Sequence, residues 1–340
     1  MQDEGIPPDS VTFINLLKAC GSTGGINKGK QIHEEIVARG LLEKSNIILG
    51  NALVDMYVKC GVLAKAQEVF NQLPAGNVVV WSSIIAGYVQ NGLGDEALKY
   101  FRQMQDARVV PDNVTYLSVL KACGIVGSLN TGEGVAAEIR KKRLQQNDVV
   151  LGTALVDMYS KCGVLDKAQE VFERLPMQDI VSWSALIAGY TQSGKANVVL
   201  DLYRSMRAGG VMPGVITFIL LLTACSHAGL VKQGEILFHE MCTVYYLPPM
   251  LEHYTCMIDL YVRAGHVNEV KALIEKVPNY DRLPLFLAVL SACRQWKDVK
   301  LGRWAFKQLI QLDNHTVTSL CMNDIGEMAQ IDEVEAWTLK

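Results

Sequence analysis

At 340 residues, half of them hydrophobic and only 20% charged, the chain is long enough for two globular domains and apolar enough for helices buried on two sides. A net charge of −3 provides no broad basic field to announce a nucleic-acid partner, although a basic stripe on one face can hide inside such an average. The longest apolar run, residues 215–224, is far too short to cross a membrane as a helix, so no membrane partner is expected.

Taken in order, residues 1–9 read as the tail of a truncated repeat, with neither an Arg- and Ser-rich presequence nor a signal-peptide core. Residues 10–46 hold TFINLLKACGSTGGINKGKQIHEEIVARG, a helix, a Gly-rich turn and a second helix. Residues 47–77 are a more compact unit built on NALVDMYVKCGVLAKAQEVFNQLP. Its first helix carries Ala52, Leu53, Met56 and Tyr57 at helical spacing and ends at Gly61, as a left-handed cap would end it. Its second carries Leu63, Ala66, Val69 and Phe70 on one face and stops before Pro74. Residues 78–112 form a third unit, VVVWSSIIAGYVQNGLGDEALKYFRQMQDARVVPD.

The series then restarts. Residues 113–148 match the first unit, 149–179 the second and 180–214 the third. Within them, TALVDMYSKCGVLDKAQEVFERLP (153–176) rewrites 51–74 at an offset of 102 residues. Residues 215–250 return to the first class and 251–282 to a variant of the compact one. Two amphipathic helices of about three turns cannot bury both faces alone. Each unit must stack on its neighbours, which makes the chain a helical repeat array.

Nine cysteines fit that array. Cys20, Cys123, Cys225 and Cys293 each follow an alanine in LKAC-, LTAC- or LSAC-type helices, and Cys60 and Cys162 precede the helix-ending glycine. Cysteine recurring at one repeat position packs as a small apolar residue, as in a reducing compartment. No CxxC pair exists, the histidines are scattered, and there is no phosphate-binding glycine loop or nucleophile elbow. No metal, no other cofactor and no catalytic residue is expected.

These motifs resemble the pentatricopeptide repeat family, in the subclass whose units alternate as P, long L and short S types. VSWSALIAGY resembles the P unit, VTYLSVLKACG the L unit, ALVDMYSKCGVLDKAQEVF the S unit and LLTACSHAGLVKQGEILF the terminal L unit. The resemblance implies an all-α, right-handed superhelical solenoid of stacked helix-turn-helix repeats over residues 10–282, with first helices lining the concave face. Residues 283–340 resemble the extension motifs that follow the last repeat in plant organelle RNA-editing factors: 283–313 reads as two helices, and 317–340 departs from the pattern and stops early. Some such factors continue into a zinc deaminase, which needs HxE and CxxC. His33–Glu34–Glu35 satisfies HxE by letter only; it is read as an exposed helix face.

One position near the start of each first helix separates the classes. Compact and P units carry Asn51, Ser82, Thr153, Ser184 and Thr255 there, whereas L units carry Ile14, Leu117 and Ile219. The last residues of the units read Asn77, Asp112, Asp179 and Gly214. These are also ordinary helix-start residues, so plain capping is a second reading. In the family the two positions select one RNA base per repeat. A carboxylate accepts the ring N–H of guanine or uracil, an amide donates to the bare ring nitrogen of adenine or cytosine, and the first-helix residue sorts purine (Thr, Ser) from pyrimidine (Asn). Ile48, Val79, Val150 and Val181 match the position that sandwiches the base; simple packing is the alternative for them.

The resemblance thus implies sequence-specific binding of single-stranded RNA in a mitochondrion or chloroplast, for C-to-U editing, with a deaminase domain or editing cofactor proteins as partners of the extension motifs. A protein-binding scaffold, or a factor for RNA stability, splicing or cleavage, is the competing expectation.

Overall fold

The computed structural model describes residues 8–42, 47–73, 77–142, 148–277, 282–296 and 298–312. These residues hold eighteen helices, and no strand occurs among them. The chain divides into two compact units, Met1–Gln178 and Asp179–Lys340, each a stack of helical hairpins. In the first unit α1 (Ser10–Thr23) pairs with α2 (Ile26–Ala38), α3 (Ile47–Lys59) with α4 (Leu63–Gln72), α5 (Val78–Gln90) with α6 (Gly94–Asp106), α7 (Asn113–Val126) with α8 (Leu129–Lys141), and α9 (Val149–Lys161) with α10 (Leu165–Glu173). In the second, α11 (Ile180–Gln192) pairs with α12 (Ala196–Ala208), α13 (Val215–Ala228) with α14 (Val231–Thr243), α15 (Leu251–Arg263) with α16 (Val267–Glu275), and α17 (Arg282–Trp296) with α18 (Val299–Leu312).

First helices form one layer within each unit. Helices α1, α3, α5, α7 and α9 pack on one another in series, and so do α11, α13, α15 and α17. Second helices pack on their own partner and on the following first helix, as α4 does on α5 and α12 on α13. A first helix is therefore covered on several sides and needs apolar residues almost all round. Helix α5 buries Val80, Trp81, Ile84, Ile85 and Tyr88, whereas α6 buries a single stripe of Ala97, Leu98, Tyr100, Phe101 and Met104. This division explains how a water-exposed surface coexists with a chain that is half hydrophobic.

The written-out repeat at 51–74 and 153–176 is also repeated in space. Gly61 and Gly163 adopt φ of +73° and +76°, the left-handed turn that ends each first helix. The Cys60 Sγ lies 3.7 Å from the Cys20 carbonyl oxygen, and Cys162 Sγ 3.8 Å from that of Cys123. Burial pushes the thiols of Cys123 and Cys293 up to about 12 and that of Cys225 to about 11, as inert packing residues require. The residues 283–296 and 298–312 build most of α17 and all of α18, and the expected second extension segment, 317–340, lies outside the described residues.

Candidate nucleic-acid interface

The unit-ending residues cap the next first helix. Asn77 Oδ1 accepts the Val79 N–H at 2.9 Å, Asp112 Oδ1 that of Thr115 at 2.8 Å, and Asp179 Oδ1 that of Ser182 at 2.8 Å. The capping role is thus real, but it occupies only one atom of each side chain. Among the described residues, none bonds to Asn77 Nδ2, Asp112 Oδ2 or Asp179 Oδ2. The amide keeps its donor and each carboxylate keeps an acceptor, which is the polarity that base selection needs. Gly214 caps α13 without a side chain; its own N–H donates to Thr217 Oγ1 at 3.2 Å.

The first-helix positions sort into four kinds. Ser82 is buried and its Oγ lies 3.2 Å from Asp112 Oδ1, so the structure brings this pair together. Asn51 Oδ1 and Thr153 Oγ1 are buried with no hydrogen-bond partner among the described residues. Such an orphan costs roughly 1–3 kcal/mol and calls for an explanation, of which a bound polar ligand is one. Ser184 is half-buried. Thr255 is exposed, with its hydroxyl donating back to the Leu251 carbonyl at 2.9 Å. Its unit ends at Arg282, whose Nε and Nη2 donate to the carbonyls of Val277 and Glu275 at 2.6 and 2.8 Å. That guanidinium is spent closing the C-terminal end of α16.

The expected sandwiching residues are not packed. Ile48, Val79, Val150 and Val181 are 69, 50, 63 and 60% exposed. Three further residues share their place as second residue of a first helix: Val11, Val114 and Ile216, 62, 55 and 65% exposed, all in L-type units. Single exposed aliphatics are ordinary. A branched aliphatic exposed at the same register of seven hairpins is not, and its signal was open in the sequence as a Val or Ile at each of these positions. Where α3, α5 and the start of α7 meet, these features converge in a groove of about 260 Å³, lined by Val79 and Val114 together with Ser82, Asp112, Asp55 and Gln90. A more open pocket of about 670 Å³ beside Arg263 and Trp296 contains none of the expected site residues.

Three ion pairs recur at 102-residue spacing in the compact units. Lys59 pairs with Asp55 at 2.7 Å, Lys161 with Asp157 at 2.8 Å, and Arg263 with Asp259 at 3.3 Å. One expectation is corrected. His33 does not lie on an exposed helix face but is half-buried, its Nδ1 2.8 Å from the Tyr57 hydroxyl, because the second helix turns that side towards α3. No group of metal ligands occurs among the described residues.

Comparison with known proteins bears on the family and the fold. A PPR repeat model matches residues 51–78, 153–180, 216–243 and 252–280, and a second PPR repeat family model matches 76–124 and 178–227, together more than half the chain. The Arabidopsis thaliana pentatricopeptide repeat-containing protein At2g33680 is 38% identical over 98% of this chain and 46% of its own length. For At3g25060, named as putative and mitochondrial, from the same organism, the figures are 38%, 93% and 52%; for At1g08070, named as chloroplastic, they are 36%, 92% and 42%. The chain spans about half the length of these curated relatives. Among solved structures, pentatricopeptide repeat protein PPR10 of maize, in complex with an 18-nt psaJ RNA element, matches with a TM-score of 0.75 at 17% identity, over 97% of this chain and 49% of that one. At that identity the likeness establishes the fold, an all-α solenoid of stacked helix-turn-helix repeats.

Proposed function

Since the chain belongs to the pentatricopeptide repeat family, we propose that it binds single-stranded RNA along its first helices, one nucleotide per unit. The observation that carries this reading is the groove in which Ser82 and Asp112 meet between exposed Val79 and Val114. A flat, apolar-faced ligand with hydrogen-bonding edges fits such a site: the valines take its faces and the polar pair takes its edge. A protein-binding scaffold has no comparable need for a branched aliphatic exposed at the same register of seven hairpins.

Asp112 and Asp179 offer acceptors and favour guanine, and the first-helix residues of the same two repeats, Ser82 and Thr153, select purine. Asn77 offers a donor and favours cytosine with Asn51. Ser184, opposite Gly214, retains a purine bias, and so does Thr255, whose second contact is lost to the capping role of Arg282. Read 5′ to 3′ along the chain, the target core is C-G-N-G-R-N-R. The nucleotides at the L units are left as N, and Val114 and Ile216 hold them in register. The P, L and S alternation and the extension-like residues 283–340 support a role among organelle editing factors, in which the chain specifies a cytidine for C-to-U editing by a deaminase acting from another domain or chain. Relatives named mitochondrial and chloroplastic support an organelle location.

The test is binding of purified protein to a C-G-N-G-R-N-R oligoribonucleotide and to its permutations at fixed salt. Preference for the core by about tenfold or more, the scale of one good base contact, is expected. Equal affinity for all permutations, or no RNA binding, overturns the reading.

A further inference from the structure

One buried hydroxyl ties together the two selecting residues of the groove where α3, α5 and the start of α7 meet. Thr115, the third residue of α7, is fully buried. Its Oγ1 lies 2.7 Å from Asp112 Oδ1 and 2.7 Å from Ser82 Oγ, and its backbone N–H donates to the same Asp112 oxygen at 2.8 Å. The charge-assisted bond to the carboxylate takes the Thr115 proton. The Ser82 proton then has Thr115 Oγ1 and, at 2.8 Å, the Val78 carbonyl as acceptors. With two donors from Thr115 and Ser82 close by at 3.2 Å, Asp112 Oδ1 is saturated, the carboxylate cannot rotate freely, and Oδ2 is the oxygen left for a ligand.

The other boundaries show that this is not an automatic result of capping. Thr12 repeats the bond, its Oγ1 2.6 Å from Asp9 Oδ1. At the next selecting carboxylate the hydroxyl goes elsewhere: Ser182 Oγ donates to the Asp179 backbone carbonyl at 2.9 Å, and only its N–H reaches Asp179 Oδ1. Beside Asn77 the third residue is Val80, which has no hydroxyl. Serine lacks the branched Cβ that restricts threonine to few rotamers.

We propose that Thr115, a residue of the following L-type unit, is a specificity-determining positioning residue: it orients both Ser82 and Asp112 and so sets the base choice of the preceding unit. The proposal rests on the RNA reading above. It makes an L-type unit, silent for its own nucleotide, a contributor to its neighbour's.

The experiment measures affinity of the full chain for four oligoribonucleotides that differ only at the nucleotide read by Ser82 and Asp112. In Thr115→Val the backbone cap to Asp112 remains and the hydroxyl is gone. The guanine-over-adenine ratio is expected to fall by about threefold to tenfold, the scale of one ordinary hydrogen bond, while preferences at the nucleotides read by Asn51 and by Thr153 stay unchanged. Thr115→Ser is expected to retain most of the ratio. If the valine variant does not fold, Thr115→Ala removes the same hydroxyl with less bulk. An unchanged ratio in Thr115→Val, alongside a changed one in Asp112→Asn, overturns the proposal and leaves the RNA reading standing. Unchanged ratios in both overturn the RNA reading itself. An equal loss for all four bases also overturns the proposal, since it means that Thr115 serves folding only.

Discussion

Ser82 Oγ stands 3.2 Å from Asp112 Oδ1, joining two side chains thirty residues apart in sequence at the mouth of one groove. A serine that also donates within its own helix and an aspartate that also caps the next one have no packing reason to meet there. Their meeting gives this one boundary a polar edge flanked by the exposed faces of Val79 and Val114.

Asp179→Asn exchanges an acceptor for a group that can also donate, while asparagine caps α11 about as well as aspartate. Thermal stability should change by less than about 1 kcal/mol, and preference at that nucleotide should move from guanine to adenine by about tenfold. Binding assays with the two oligoribonucleotides check this; an equal loss for every base would assign Asp179 to folding.

Val79→Ala tests the exposed row. Because half of Val79 faces solvent, truncation should cost well under the 2–5 kcal/mol of a core deletion and leave the melting temperature nearly unchanged. RNA affinity should fall several-fold irrespective of the base at that position. Loss of stability without loss of RNA affinity would return Val79 to a packing role.

Tyr246 lies at φ +52° with 83% of its surface exposed, in the left-handed region that Gly40, Gly210 and other turn residues occupy. Tyr246→Gly removes that strain and very little packing. A gain of about 0.5–1 kcal/mol is expected in denaturant unfolding, net of the entropy that glycine adds to the unfolded chain. A loss would show that the exposed ring makes a contact worth more than the strain.

His253 is fully buried, accepting the Met250 N–H at Nδ1 (3.0 Å) and lying 3.2 Å from the Val215 carbonyl at Nε2. Both bonds are made by a neutral ring protonated at Nε2, and burial holds its pKa below the ordinary 6.5; burial lowers that of His33 as well. The unfolded chain therefore takes up protons first as pH falls below about 6.5, and the native chain follows only at lower pH. Stability is fully present above about pH 6.5 and declines as the medium acidifies towards each folded-state pKa. Melting curves from pH 7.5 to 5.5 should show this slope, and His253→Gln should reduce it; a flat profile would mean that neither ring is held neutral.

The hairpins and the starts of their first helices are legible in the sequence. Helical periodicity, Gly61 and Gly163 at turn positions and proline after the second helices are local signals, and the first helices begin at Ser10, Ile47, Val78, Asn113, Val149, Ile180, Val215 and Leu251. The polar residues proposed to select bases are legible as a pattern too, through their alternation with apolar residues in L units. Their double use is not. That Asn77, Asp112 and Asp179 spend one atom on a cap and keep another, or that Arg282 is consumed by a C-terminal cap, depends on side-chain rotamers that no spacing encodes.

Contacts within about four residues fix where each helix starts, where glycine ends it and which stripe is apolar, so local pattern alone reveals them. Which residues near the start of each helix face outward, and which are tied to the next unit, depends on how the hairpins stack. Val79 and Val80 are both valines in one helical turn, yet one is half exposed and the other buried. Thr115 reads as a plain helix-start residue until stacking brings Ser82, thirty-three residues earlier, within 2.7 Å of it. Exposure and cross-unit hydrogen bonds are set by how adjacent hairpins are placed against each other. That placement comes from the summed packing of many side chains, so no local pattern announces it.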